Sequence, residues 1–257
     1  MCKECGCGLS GTVNIGGHSH DHHHGSGHPH EHPSHAADGG RTIHLQRSLM
    51  EKNELLAERN RALFQEKKLL VLNVVSSPGS GKTTLIRETA IQLSKQMRTG
   101  VIVGDLATDN DAARLRTAGI PVVQITTGTV CHLDASMVFK AAGQLDLNQL
   151  DLLVIENVGN LVCPADYDLG ETLRVVLLST TEGEDKPVKY PPMFHSAHVA
   201  IVTKMDLAVA AAFDRQQALN NLSRVSHHAR VFELSAKTGD GMKAWLEYLA
   251  DTLQRER

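Results

Sequence analysis

The sequence predicts an α/β fold. We expect a mostly parallel sheet with helices on both faces, preceded by a disordered tail rich in cysteine and histidine. Three observations predict it. Runs of Val, Leu and Ile recur at residues 69–75, 101–103, 152–155, 175–178 and 199–202, each bounded by polar or turn residues, as strands buried on both faces require. The first run breaks into Ser76-Ser77-Pro78-Gly79-Ser80-Gly81, and Lys82-Thr83-Thr84 then opens a helical pattern. Residues 1–40 hold almost no large apolar side chains, so they cannot bury enough surface to offset their ordering entropy.

The tail carries its own chemistry. Cys2, Cys5 and Cys7 place three thiols within six residues, and Gly6 and Gly8 let the backbone wrap closely around an ion. With the terminal amine as a fourth ligand, this set suits square-planar Ni(II) or tetrahedral Zn(II). His18, His20, His22, His23, His24, His28, His30, His32 and His35 follow. An added purification tag would be an unbroken histidine run, whereas this tract is irregular and laced with Asp21, Pro29, Glu31 and Pro33. It reads as a native metal-buffering segment that binds several ions loosely. Residues 41–68 show an amphipathic helical pattern through Leu45, Leu49, Leu56, Leu63 and Phe64. The helix either serves a partner or a dimer, or, as the plainer reading, packs on the core ahead of the first strand.

Residues 69–257 read as the folded domain. A strand, a loop of small residues, Lys-Thr and then a helix is the pattern of a phosphate-binding P-loop. Pro78, Gly79, Ser80, Gly81, Lys82, Thr83 and Thr84 would bring backbone N–H groups, a helix N-terminus and an ammonium to phosphate oxygens. Thr83 is placed for Mg²⁺. Ser76 stands where the usual pattern has glycine. The next strand ends at Asp105, near the phosphates by the rule that sites lie at the carboxyl ends of parallel strands. Asp105 is a candidate to bind Mg²⁺ or to orient the attacking water. Residues 106–111 form a switch-like loop, in which Asp109, Asn110 or Asp111 is expected to cap the following helix.

The strand at 121–127 runs into Cys131-His132, a thiol beside an imidazole at a strand-to-helix turn. The pair is half of a four-coordinate site, which two copies across a two-fold axis would complete, or else a buried cysteine beside a capping loop. Glu156-x-x-Gly159 ends the next strand, where P-loop GTPases carry a Mg²⁺-proximal acid and a γ-phosphate-sensing glycine. Cys163 follows and is either a further metal ligand or a plain loop thiol. Residues 185–192 read as a loop rich in proline and charge. Thr203-Lys204-Met205-Asp206 is a guanine-reading motif: Asp206 accepts two bonds from the base edge, and the Lys204 stem lies over the base. Thr203 replaces the more usual Asn, which removes an amide that braces the P-loop. Ser235-Ala236-Lys237 fits the second guanine loop, and residues 240–253 close the chain as a helix.

Net charge is −3 and nothing suggests nucleic-acid binding. No apolar run has membrane-spanning length and no signal pattern opens the chain, so a cytoplasmic location is expected. Five cysteines in such a reducing compartment read as thiolate ligands rather than disulfides.

Together these segments resemble the hydrogenase nickel-incorporation GTPases, the HypB family, over nearly the full length. The likeness rests on the Cys2–Gly8 head, the histidine tract, SSPGSGKTT, GDLATDNDA, CHLDA, ENVGNLVCP, TKMD and SAKTG. It implies a GTP-hydrolysing metallochaperone of slow turnover that delivers nickel to the NiFe-hydrogenase large-subunit precursor beside a HypA-type nickel and zinc accessory protein. It implies GTP, Mg²⁺ and Ni²⁺ as ligands, with Zn²⁺ as a further possibility, and a homodimer dependent on nucleotide and metal. By the same resemblance Cys131 and His132 form the metal site of the domain. Thr83, Asp105 and Glu156 form the Mg²⁺ neighbourhood. Rival readings are a metal store with a vestigial nucleotide site, the urease-side GTPase and an ATP-using enzyme. The intact motifs, the thiol head and TKMD argue against them in turn.

Overall fold

The computed structural model describes residues 38–257, with side chains from residue 48 onward. Cys2, Cys5, Cys7 and the histidines from His18 to His35 lie outside the described residues. Seven strands form one sheet: β1 (Leu70–Val75), β2 (Thr99–Asp105), β3 (Val122–Thr126), β4 (Leu152–Glu156), β5 (Leu173–Ser179), β6 (Val199–Thr203) and β7 (Arg230–Glu233). Their order is β3-β2-β4-β1-β5-β6-β7, and every pairing is parallel. The expected α/β fold is therefore observed, with β1 at the centre.

Helix α1 (Asp38–Glu66) precedes the sheet, and α2 (Lys82–Leu93), α3 (Asn110–Arg116) and α4 (Ala135–Ala142) follow β1, β2 and β3. The short helices α5 (Lys186–Lys189) and α6 (Pro191–His195) follow β5, α7 (Arg215–Val225) follows β6, and α8 (Met242–Glu256) ends the chain. Among the described residues, no helix is long and apolar enough to cross a membrane.

Side chains alternate across each strand. Leu70, Leu72 and Val74 face a core shared with Leu85 of α2, Leu115 of α3 and Trp245 of α8. On the other face Val71 packs with Phe64 of α1 and Val138 of α4, while Val75 packs with Phe194 of α6 and Leu222 of α7. Between Val71 and Val75, on that second face, Asn73 is fully buried.

Two expectations are corrected. Residues 185–192 are not a loop: they form α5 and the start of α6. Prolines occupy the first turns, where a missing N–H costs no helical bond, and fully buried Met193 and Phe194 anchor α6. The packed face of α1 is only partly the expected stripe. Phe64 is buried and Leu63 packs against the core, but Leu49 is 50% exposed, and among the described residues Asn53, Ala57 and Asn60 are the other buried positions. The anchors are polar. Asn53 Nδ2 donates to Asp168 O at 2.8 Å, and Asn60 Nδ2 donates to Ala135 O at 2.9 Å and Leu169 O at 3.0 Å. Gly170 makes the close approach possible. It adopts φ +87°, and a Cβ there would lie 2.6 Å from Ala57 O.

Candidate nucleotide and metal sites

The loop after β1 turns on Gly79 and Gly81, with φ 73° and 97°, and Gly81 caps α2. That geometry turns the loop and helix N-terminus toward one point, as phosphate binding needs. Lys82 is buried and its ammonium donates to Ser76 Oγ at 3.1 Å. Ser80 Oγ also donates to Ser76 Oγ. Ser76, at the position usually held by glycine, is thus built into the loop as an acceptor.

Thr83 Oγ1 donates to Glu156 Oε1 at 2.7 Å. The second carboxylate oxygen, Glu156 Oε2, is buried without a hydrogen-bond partner. Burial pushes the Glu156 carboxyl up to about 7, against the pull of the Thr83 hydroxyl and the Lys82 ammonium. Burial likewise lowers Lys82, opposed chiefly by Glu156. A buried, orphaned carboxylate oxygen beside a threonine hydroxyl fits a hard divalent cation such as Mg²⁺. Asp105 ends β2, and its Oδ1 accepts the N–H groups of Ala107 and Thr108, each at 2.9 Å. Desolvation acts to raise its pKa, but these donors outweigh it and hold the carboxyl below its usual range.

The capping expectation for the next helix needs correction. Asp109 takes the N-cap position, but its side chain accepts no capping bond. Asp111, in the first turn of α3, instead lines a cavity of about 450 Å³ with Gly79, Lys82, Thr83, Arg114 and Glu156. Asp111 and Arg114 were not legible as site residues. Their sequence offers only a polar helix start, and α3 packing decides which way it faces.

A second cavity, about 280 Å³, meets the first at Gly81, Thr84 and Lys204 and is lined also by Leu85, Asp206, Leu207, Ser235, Ala236 and Lys237. Asp206 Oδ1 accepts Ser235 Oγ at 2.7 Å, which fixes the carboxylate. Lys204 takes φ 58° and its Nζ donates to Gly79 O at 2.6 Å. The Ser235 N–H is committed to Asp240 O at 2.9 Å, so of the three residues in that loop it is not a donor to a base. Thr203 corrects a further expectation. Its hydroxyl donates to Ser80 O at 2.9 Å, so the P-loop is braced without the asparagine amide. Gly159 abuts the same loop, where a Cβ would lie 3.0 Å from Pro78 Cα.

Cys131, His132 and Cys163 come together. One ligand atom from each lies within 4.8 Å of the others, and the two Sγ atoms are 3.0 Å apart. A single chain therefore offers three ligands, the Cys131-His132 pair and Cys163, placed as a further metal ligand would be rather than as a plain loop thiol. His132 stacks on Tyr167 with centroids 3.9 Å apart, and its Nδ1 is buried without a hydrogen-bond partner. Burial lowers its pKa, which keeps the imidazole in the neutral, ligating form. Two thiols and an imidazole suit Zn²⁺ or Ni²⁺.

A family model described as the CobW/HypB/UreG nucleotide-binding domain matches residues 70–233. Over 209 residues the chain is 49% identical to the hydrogenase maturation factor HypB of Escherichia coli K12, a match covering 81% of this chain and 72% of that protein. The chain belongs to the HypB family. HypB from Helicobacter pylori, solved in complex with nickel, is similar in fold at TM-score 0.76 and 39% identity, covering 79% of this chain and 96% of that one. HypB from Archaeoglobus fulgidus matches at TM-score 0.74 and 37% identity, covering 79% and 99%. The CobW/HypB/UreG domain match from 70 to 233 encloses the P-loop, Glu156, Asp206 and all three clustered ligands.

Proposed function

We propose that this protein is a GTP-hydrolysing nickel metallochaperone. It loads nickel into the NiFe-hydrogenase large-subunit precursor, with a HypA-type nickel and zinc protein as its accessory. One observation carries the reading: the segment from Asn157 to Cys163 touches both sites. Gly159 packs on Pro78 of the P-loop, Asn160 Nδ2 donates to Cys131 O at 3.3 Å, and Cys163 is itself a clustered thiol.

Asp206 selects guanine, and Lys204 lies along the base. Lys82 and the loop N–H groups hold the phosphates and offset charge as the γ-phosphoryl leaves. Thr83 and Glu156, with Asp105 nearby, would hold Mg²⁺, which would supply further positive charge to those oxygens. Asp105 orients the attacking water. The γ-phosphate orders residues 106–111 and 156–159, and the second segment carries that change to Cys131 and Cys163. Ligands from two copies related by a two-fold axis would share the metal equally, so the nucleotide-loaded form pairs as a homodimer around it. Nickel is the cargo, with Zn²⁺ an alternative occupant of the same ligands. Nickel senses hydrolysis only if it binds the two nucleotide states with different affinity. The Cys/His-rich tail stores further ions.

The test is GTP hydrolysis and mass in solution, with and without Ni²⁺ and a non-hydrolysable GTP analogue. It compares the natural chain with a Cys131→Ala, His132→Ala variant. Nickel and analogue together should favour the dimer in the natural chain alone, while both proteins still bind GTP. Nickel that changes neither dimer nor turnover contradicts the reading.

A further inference from the structure

We infer that Asn73 is the positioning residue of the metal site: its buried amide ties both ligand-bearing loops to the strand that leads into the P-loop. The inference rests on the metal-site reading above. Asn73 is a polar residue at the centre of an otherwise apolar strand and is fully buried, three residues before Ser76. Such a group persists only with its bonds satisfied. Both ends of the amide are used, and each leads to a different metal-ligand loop.

On one side, Asn73 Oδ1 accepts Asn157 Nδ2 at 3.2 Å. Asn157 Oδ1 in turn accepts Leu133 N at 3.2 Å and Val158 N at 2.9 Å. Leu133 directly follows His132, so this branch fixes the Cys131-His132 turn. On the other side, Asn73 Nδ2 donates to Glu171 Oε1 at 3.1 Å. Glu171 pairs with Arg174 at 2.8 Å, with both side chains buried. The Arg174 guanidinium then donates to Ala165 O at 2.9 Å and Tyr167 O at 2.8 Å. That branch fixes the segment running from Cys163 to Tyr167, the ring stacked on His132. The two loops carry their ligands 32 residues apart in sequence, and Asn73 is the side chain from which both branches start. A leucine or valine would fill the space and leave both branches without a common anchor.

The test uses the full chain with Cys2, Cys5 and Cys7 replaced by Ser. Thiolate-to-nickel charge-transfer absorption then reports only Cys131 and Cys163. Nickel affinity is read from titration of that band, because the histidine tract that remains binds nickel without producing it, and GDP affinity is measured in parallel. Asn73→Val should weaken nickel binding by about 10- to 100-fold, as loss of outer-shell support does, and shift the absorption band. GDP affinity should stay within about threefold, because the Asn73 amide bonds to Glu171 and Asn157 rather than to the P-loop. Asn157→Asp keeps the acceptor for Leu133 and Val158 and replaces the N–H donor to Asn73 Oδ1 by a carboxyl oxygen at a buried position. It should lower nickel affinity in the same direction, and it alone decides the matter if Asn73→Val fails to fold. Natural nickel affinity and band in the folded variants overturn the inference. So does a fall in nickel and GDP affinity in step, which marks a merely structural role. A Cys131→Ala control that retains affinity and band refutes the metal-site reading itself, and the inference falls with it.

Discussion

Replacing Glu156 by Gln removes one titration while retaining an acceptor for the Thr83 hydroxyl. In the natural chain the carboxyl titrates at about 7 in the fold and near 4.5 when unfolded, because burial penalises the charge. Between those values the folded protein binds more protons than the unfolded chain. Stability from this group is therefore greatest at low pH and is lost as pH rises from about 4.5 to about 7. The full gap corresponds to about 3 kcal/mol. Between pH 5 and pH 8 the difference in unfolding free energy between the two proteins should change by about 2.5 kcal/mol, in the variant's favour as pH rises. Urea unfolding of both proteins across that range, free of nucleotide and divalent metal, measures it. Titrating groups away from Glu156, the histidine-rich tail included, are common to both and cancel. Parallel stability curves would refute the placement of a charge-intolerant carboxyl beside Thr83. The same proton must leave before a cation binds, so Mg²⁺-dependent GDP affinity should weaken by up to about tenfold per pH unit below 7.

Further consequences concern the base pocket and α1. Thr203→Val removes the 2.9 Å brace to Ser80 O and should cost about 1 kcal/mol of GDP binding by calorimetry; unchanged affinity would mean the brace is idle. Asp206→Asn loses the charged acceptor fixed by Ser235 and should weaken GDP by at least about 100-fold with no gain for ADP; equal GDP binding would move the base elsewhere. Gly170→Ala forces a methyl within 2.6 Å of Ala57 O at positive φ and should destabilise the fold by about 1–3 kcal/mol; an unchanged melting temperature would contradict the docking of α1 on this loop.

Much of the fold was legible because the sheet is covered on both faces, which writes its inner strands as runs dominated by Val, Leu and Ile. The nucleotide motifs were legible because each is local: Gly79 to Thr83 and Thr203 to Asp206 carry their chemistry within a few residues. What was hidden depended on tertiary placement. Asn73 lay inside an apolar run, and only the packing of β4 and β5 against β1 shows both ends of its amide in use. Asp111 reads as a helix-start acid until α3 turns it toward Lys82. Cys163 joins Cys131 across β4, a contact that spacing cannot specify. The apolar pattern of α1 told only part of its docking, because Leu63 and Phe64 join the core but two asparagines complete the contact, and the Thr203 substitution misled because a hydroxyl reaches the carbonyl an amide would otherwise brace.

Coupling between the nucleotide and metal sites is tested most directly by reciprocal titration. Nickel affinity, read from the thiolate-to-nickel charge-transfer band so that the histidine tract does not contribute, is measured with and without a non-hydrolysable GTP analogue, and analogue affinity with and without nickel, in the full chain with Cys2, Cys5 and Cys7 replaced by Ser. Shared use of residues 157–163 predicts that each ligand changes the affinity of the other by the same factor, about 5- to 150-fold, and that Cys131→Ala abolishes it. Equal nickel affinity in both nucleotide states would contradict the coupling and leave a GTPase and a metal site that merely share a fold.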